Sequence, residues 1–285
     1  MIEFKIDDHE AQATQPGDEY KMNPEPITIR KSYKGSDKLK GKIALITGGD
    51  SGIGKSIALH FAREGAHVVI VYLNENEDAS QAKEEVENEG VECLLIQGDI
   101  KNEDFCKLVI DRTIEKFGTL NCLVNNAAMQ FPTEHIELIK SENLYTTFET
   151  NIYPYFYLAK AAVKYLRPGD TIINTTSVTA YRGSEHLIDY ASTKGAIVSF
   201  TRSLSKSLAE KAIRVNAVAP GPIWTPLIPA TFEGDDLKNF GKDVPLGRPG
   251  QPAEVGPAYV YLASEDSSYM TGQVLHINGG EIIGG

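Results

Sequence analysis

Seven short runs rich in Val, Ile and Leu recur along the chain after residue 40, at 43–46, 68–72, 93–96, 120–124, 171–174, 215–218 and 274–277. The stretches between them carry apolar residues at helical spacing, as in Ile57, Ala58, Phe61 and Ala62. Strands that alternate with helices predict a parallel sheet, and continuous apolar runs predict that helices cover both of its faces. In such an α/β sheet, ligands sit at the carboxyl ends of the strands, so Gly48 to Gly54, Asp99, Asn125 and Ser177, each at or after a strand end, are expected to converge on one cleft.

Residues 1–40 break this pattern. Gln15-Pro16-Gly17, Asn23-Pro24-Glu25-Pro26 and Lys34-Gly35-Ser36 interrupt any periodicity. The segment reads as a polar extension before a catalytic domain at 41–285, either a disordered tail or a strand of chain lying across a neighbouring subunit. It has no apolar stretch like that of a secretory signal and too many acids for a mitochondrial presequence, which places the protein in the cytoplasm.

Composition narrows the possibilities. The 285 residues are 41% hydrophobic and 24% charged, enough for one substantial core. A net charge of −11 without clustered Lys and Arg argues against nucleic-acid or anionic-membrane partners. Cys93, Cys106 and Cys122 lack metal-ligand spacing and read as buried structural thiols, and the six histidines show no such spacing either, so no catalytic metal is expected.

Two local patterns carry chemistry. Thr47-Gly48-Gly49-Asp50-Ser51-Gly52-Ile53-Gly54 lies between a strand and a helix; glycines there allow a sharp turn and close approach of a pyrophosphate, whose charge the free N–H groups of the helix start attract. The same turn can also be a plain connection. Tyr190 and Lys194 are four residues apart, on one face of a helix beginning near Asp189. An ammonium beside the phenol is expected to lower its pKa and make Tyr190 a proton acceptor or donor, whereas the bland alternative is a solvated helix face. Ser177 precedes Tyr190 by 13 residues in a Ser/Thr cluster where turn chemistry competes, with Thr175, Thr176 and Thr179 as rivals.

With Asn125-Asn126-Ala127-Ala128, Asn151, Ser177, the Asn216–Thr225 segment, Gly247-Arg248-Pro249-Gly250 and Thr271 to Gly280, these motifs make the chain resemble the short-chain dehydrogenase/reductase family, in its single-domain form and its glucose/ribitol-dehydrogenase-like bacterial branch. Ala128 stands where the family usually has glycine. The resemblance implies a Rossmann-type doubly wound parallel sheet, a small substrate lid at about 223–245, and a homotetramer built through two long helices at about 140–165 and 189–211. It implies that Tyr190 exchanges the substrate proton, that Lys194 holds the nicotinamide ribose, that Ser177 hydrogen-bonds the substrate oxygen and that Asn151 positions a water. A kink-stabilising role is the alternative for Asn151. It further implies a cofactor site made of Gly48, Asp50, Ser51, Gly52, Ile53, Gly54, Tyr72, Leu73, Asp99, Ile100, Asn125, Ala127, Tyr190, Lys194, Pro220, Gly221, Ile223 and Thr225. Asp99 is expected to meet the adenine or to cap the next helix.

The expected reaction interconverts an alcohol and a carbonyl by hydride transfer. NAD is preferred to NADP: no arginine follows Tyr72, and Asp50, Glu75 and Glu77 would repel a 2′-phosphate, while Lys55, the contrary sign, is expected to point into solvent. A non-catalytic dinucleotide sensor and an enoyl reductase of the divergent branch are the competing readings; the first has no reason to keep the Tyr-Lys-Ser set, and the second spaces Tyr and Lys more widely. The substrate is a small molecule whose loops, 129–134, 178–188 and 223–244, carry no decisive signature; a sugar, a polyol or another small polar alcohol fits the branch.

Overall fold

A computed structural model of the chain describes residues 11–283. Its elements run β1 (Ile43–Thr47), α1 (Gly52–Arg63), β2 (His67–Tyr72), α2 (Asn76–Glu87), β3 (Cys93–Gln97), α3 (Glu103–Phe117), β4 (Cys122–Asn125), α4 (Ser141–Asn151), α5 (Tyr153–Ala162), β5 (Thr171–Thr175), α6 (Thr179–Arg182), α7 (Ile188–Leu208), β6 (Arg214–Pro220), α8 (Gly234–Asn239), α9 (Pro252–Ala263) and β7 (Val274–Ile277). The seven strands form one parallel sheet in the order β3-β2-β1-β4-β5-β6-β7. The chain winds outward in one direction to β3, then returns to the middle and winds the other way, so a crevice opens between β1 and β4 at their carboxyl ends.

Strand alternation explains the two cores. Ala44 and Ile46 of β1 face α1 and α9, packing with Ile57, Phe61, Val255 and Tyr259, whereas Leu45 faces the opposite layer with Val109 and Ile110 of α3 and Leu158 of α5. Both faces of the strand are dry, hence the continuous apolar run. Helix boundaries follow local chemistry: the Asn102 side chain accepts from Phe105 N–H at the start of α3, and Gln251 with Glu254 forms a capping box on α9. The pattern at 140–165 is two helices rather than one. The backbone leaves helical geometry at Ile152 (φ −131°, ψ −42°), and Pro154 opens the second helix.

Residues 1–10 of the extension lie outside the described residues; residues 11–40 pack on their own chain. Asp78 of α2 accepts from Glu19 N–H and Tyr20 N–H at 2.6 and 3.0 Å, and Gln251 accepts from Ile27 N–H at 2.8 Å. The buried Glu64 accepts from Tyr33 Oη (2.6 Å), Ser36 N–H (2.8 Å) and Lys38 N–H (3.1 Å). These are side-chain anchors from remote residues, which leave no periodicity in the extension itself.

The first strand-to-helix turn leaves no room for a side chain at Gly54. A Cβ added at Gly54 would fall 1.7 Å from the Gly48 carbonyl oxygen, so α1 can start here only as glycine. Gly54→Ala is expected to destabilise the protein by about 3 kcal/mol or to displace the turn. Denaturant unfolding checks this; wild-type stability in the variant would contradict it.

Candidate active site

The carboxyl ends of β1, β2, β4, β5 and β6 and the segment after β6 enclose a cleft of about 1210 Å³. One end is walled by Gly48, Asp50, Ser51, Gly52, Ile53, Tyr72, Leu73, Asp99 and Ile100, and the other by Ser177, Tyr190 and Lys194, with Ala127, Pro220, Gly221, Ile223 and Thr225 between. Gly54, Asn125 and Asn151 are not on its wall. Gly54 lies under the turn as described. Asn125, expected on the cleft, is the last residue of β4 and 1% exposed; its Nδ2 donates to Asn174 Oδ1 at 2.9 Å inside the sheet. Asn126 takes the place instead. It lines the cleft, its Nδ2 donates to the carbonyls of Thr47 and Gly48 at 3.2 Å, and its Oδ1 accepts from Thr175 Oγ1 at 3.2 Å. Sequence alone had only the doublet Asn125-Asn126 to choose from.

Lys194 and Tyr190 share the inward face of α7, with the ammonium 5.2 Å from the phenol ring centroid. A solvated face is excluded, because Lys194 is 1% exposed. Its Nζ donates to the Thr175 carbonyl at 3.1 Å, which also accepts from Tyr155 Oη at 3.0 Å. Ser177 follows β5 and is buried; its Oγ accepts from both Thr179 N–H (3.2 Å) and Thr179 Oγ1 (3.0 Å), which fills its acceptor side and leaves its proton to be donated. Thr175 and Thr176 have other tasks: Thr176 Oγ1 donates to the Lys194 carbonyl at 2.7 Å, and Thr175 Oγ1 bonds Tyr259 Oη at 2.7 Å. Asn151 sits at the break between α4 and α5. It accepts from Met129 N–H and donates to Met129 O, both at 2.8 Å, and donates to Thr193 Oγ1 at 3.3 Å. Its hydrogen bonds tie that break to the loop after β4, the geometry of the kink-stabilising alternative.

Burial works against the expected acidic phenol. Burial pushes Tyr190 up to about 12, against a lowering hydrogen bond from Ser177. Burial also brings Lys194 down to about 7, so the ammonium that was to acidify the phenol is itself only partly charged near neutrality. The expectation counted the charge and not its desolvation.

At the other end, two sequence readings change. Lys55 is 3% exposed and pairs with Glu19 at 3.2 Å and Glu85 at 2.9 Å, so it points neither to solvent nor into the cleft. Burial, then the neighbouring Glu75 carboxylate, raise Asp50 to about 7, which weakens the repulsion on which the NAD preference rested. Asp99 lines the cleft and accepts from Lys101 N–H at 2.9 Å, while Asn102 caps α3. Trp224 is fully buried in the segment after β6, its Nε1 donating to Pro24 O at 2.9 Å, and Arg182 pairs with Glu281 at 3.2 Å. No group of His, Cys, Asp and Glu that could hold a metal occurs among the described residues.

Lys194 gives a stability prediction with a definite sign. Its folded value of about 7 lies below the ordinary 10.5, so between these values the unfolded chain binds the extra proton and stability rises with pH. Below pH 7 the burial penalty is fully present. Lys194→Met is therefore expected to gain most in melting temperature over the wild type at pH 6–7, with the difference shrinking toward pH 10.5. A difference that grows with pH would contradict it.

Comparison with known proteins agrees with this architecture. The profile of a family described as "Enoyl-(Acyl carrier protein) reductase" matches residues 48–281. The chain is 50% identical over 280 residues to glucose and ribitol dehydrogenase of Daucus carota, covering 96% of each chain. It is 50% identical over 279 residues to the chloroplastic NADPH-dependent aldehyde reductase 1 of Arabidopsis thaliana, covering 95% of this chain and 97% of that one. Among solved structures, a short chain dehydrogenase from Burkholderia cenocepacia J2315 in complex with NADP superposes with a TM-score of 0.81 at 29% identity, over 85% of this chain and 98% of that one. The NADP in that structure gives the expected NAD preference no support. A parallel sheet reversing at β1 and β4, a glycine turn at the reversal and relatives of this identity over nearly the whole chain lead to one assignment: the protein belongs to the short-chain dehydrogenase/reductase family of NAD(P)-binding oxidoreductases.

Proposed function

We propose that the protein interconverts a small polar alcohol and its carbonyl with NAD(P)(H), using Tyr190 as the group that exchanges the substrate proton. The observation that carries this reading is the convergence of Ser177, Tyr190 and Lys194 on the wall of one cleft whose far end is the Gly48–Gly54 turn. The turn fits a dinucleotide: Gly48 and Gly52 have positive φ (60° and 51°), and a Cβ at Gly52 would meet Thr225 at 3.0 Å, so the backbone lies bare toward the cleft. A bound dinucleotide supplies or accepts the hydride. The chain does the rest. In reduction Tyr190 gives its proton to the oxygen as charge develops there, and Ser177 donates a hydrogen bond to the same oxygen. Lys194 stands where it can hold ribose hydroxyls, and Asn151 is a positioning residue for the loop after β4.

Burial keeps the Tyr190 phenol protonated at neutral pH, the form that carbonyl reduction needs, and oxidation, which needs the phenolate, gains as pH rises. The relatives' names support sugars, polyols and small aldehydes as the substrate class. The raised pKa of the covered Asp50, the NADPH in the name of the Arabidopsis relative and the NADP in the Burkholderia structure support acceptance of NADPH at least as tightly as NADH. The three cysteines are buried and unpaired, which supports a reducing compartment and a cytoplasmic location. Exposed Tyr145, Tyr153 and Phe156 on α4 and α5 support assembly through these helices, as in a homotetramer.

Two measurements test the reading. Tyr190→Phe is expected to bind NADPH as the wild type does and to lose turnover by about 10³-fold, and Ser177→Ala by about 10² to 10³-fold; unchanged turnover in Tyr190→Phe would leave a dinucleotide-sensing module as the better account. Fluorescence titration of both reduced cofactors checks the second point, and binding of NADH clearly tighter than NADPH would contradict it.

A further inference from the structure

The extension reaches the cleft itself. Gln15 and Gly17 line it, although they lie more than 20 residues before the first strand. Gln15 clamps the loop after β4 from both sides of its amide: Nε2 donates to Gln130 O at 2.6 Å, and Gln130 N–H donates to Gln15 Oε1 at 3.2 Å. Gln130 is 4% exposed and passes the constraint on, its Nε2 donating to Thr231 Oγ1 of the lid at 3.3 Å. The extension also touches the lid directly. Gln12 N–H donates to Pro229 O at 2.7 Å, and a Cβ at Gly17 would fall 2.5 Å from Pro226 O, so the two backbones meet as closely as they do only because residue 17 is glycine. A few residues on, the strap is fixed to the glycine turn: Glu19 Oε2 accepts from Gly52 N–H at 2.6 Å, while its other oxygen pairs with the buried Lys55.

We propose that Gln15 is a positioning residue of the active site, holding the Gln130 loop and the lid closed over the bound dinucleotide and its substrate. The strap bridges the two walls that must part for cofactor exchange, the glycine turn and the lid, so its hydrogen bonds oppose opening. Release of NADPH is limited by the opening of this clamp, and the substrate end of the cleft keeps its shape only while Gln130 is held. This inference rests on the proposed function in requiring that the cleft takes NADPH and a carbonyl.

The test measures NADPH release by stopped-flow fluorescence, and steady-state KM and kcat for a reducible aldehyde, in the full chain. Gln15→Ala is expected to release NADPH about tenfold faster and to raise KM by a similar factor, with kcat changed by less than about threefold and the melting temperature shifted by only a few degrees. Gln15→Glu keeps an acceptor for Gln130 N–H but has no donor for Gln130 O, and should behave like Gln15→Ala. Gly17→Ala, which lifts the strap from Pro226 and leaves Gln15 intact, should speed release as well. Wild-type release and KM in all three variants overturn the clamp. If the wild type itself takes up no NADPH, the proposed function fails and the clamp with it; NADPH uptake with unaltered variants defeats the clamp alone.

Discussion

A lysine ammonium almost wholly removed from water, with one backbone carbonyl as its hydrogen-bond partner, is the constraint around which the active end of this protein is arranged. Lys194 Nζ reaches Thr175 O at the carboxyl end of β5, and that carbonyl also serves Tyr155. A buried charge so thinly compensated weakens the fold, and its pKa falls to about 7 in consequence. Such a group is better satisfied by a ligand that brings hydroxyls and negative charge into the cleft. The fold carries the cost of this burial at the end where its cleft lies, as functional sites commonly do.

The parallel sheet makes that position available. Strand order reverses at β1 and β4, which brings Gly48 at one strand end and Ser177 near another to opposite ends of a single crevice. Helix α7 then delivers Tyr190 and Lys194 together because they are one helical turn apart. Asn126 links the two halves, reaching the Thr47 and Gly48 carbonyls from β4 while accepting from Thr175 of β5. A shift in any of these three strand ends is felt at the others.

Much of this was legible in the sequence. The strand runs and the glycine turn report short-range chemistry and lie where the pattern places them, and Ser177, Tyr190 and Lys194 line one cleft. What sequence did not reveal depends on contacts between distant residues or on direction. Adjacent residues at a strand end point to opposite sides, so Asn125 turned into the sheet and Asn126 into the cleft. Lys55 is buried because Glu19, far upstream in a segment without periodicity, folds back to meet it. The break at Ile152 has only Pro154 as a local mark. The upward push on the Tyr190 phenol comes from burial, a property of the whole fold that no local pattern displays.

Proton uptake on NADPH binding tests the central claim most directly. A Lys194 that is half-neutral near pH 7 should gain a proton when hydroxyls and phosphates fill the cleft. Calorimetric titration at pH 8 in buffers of different ionisation enthalpy should show net uptake by the wild type, and loss of that uptake in Lys194→Met. Binding by the wild type with no proton exchange, or the same uptake in both proteins, would contradict the account.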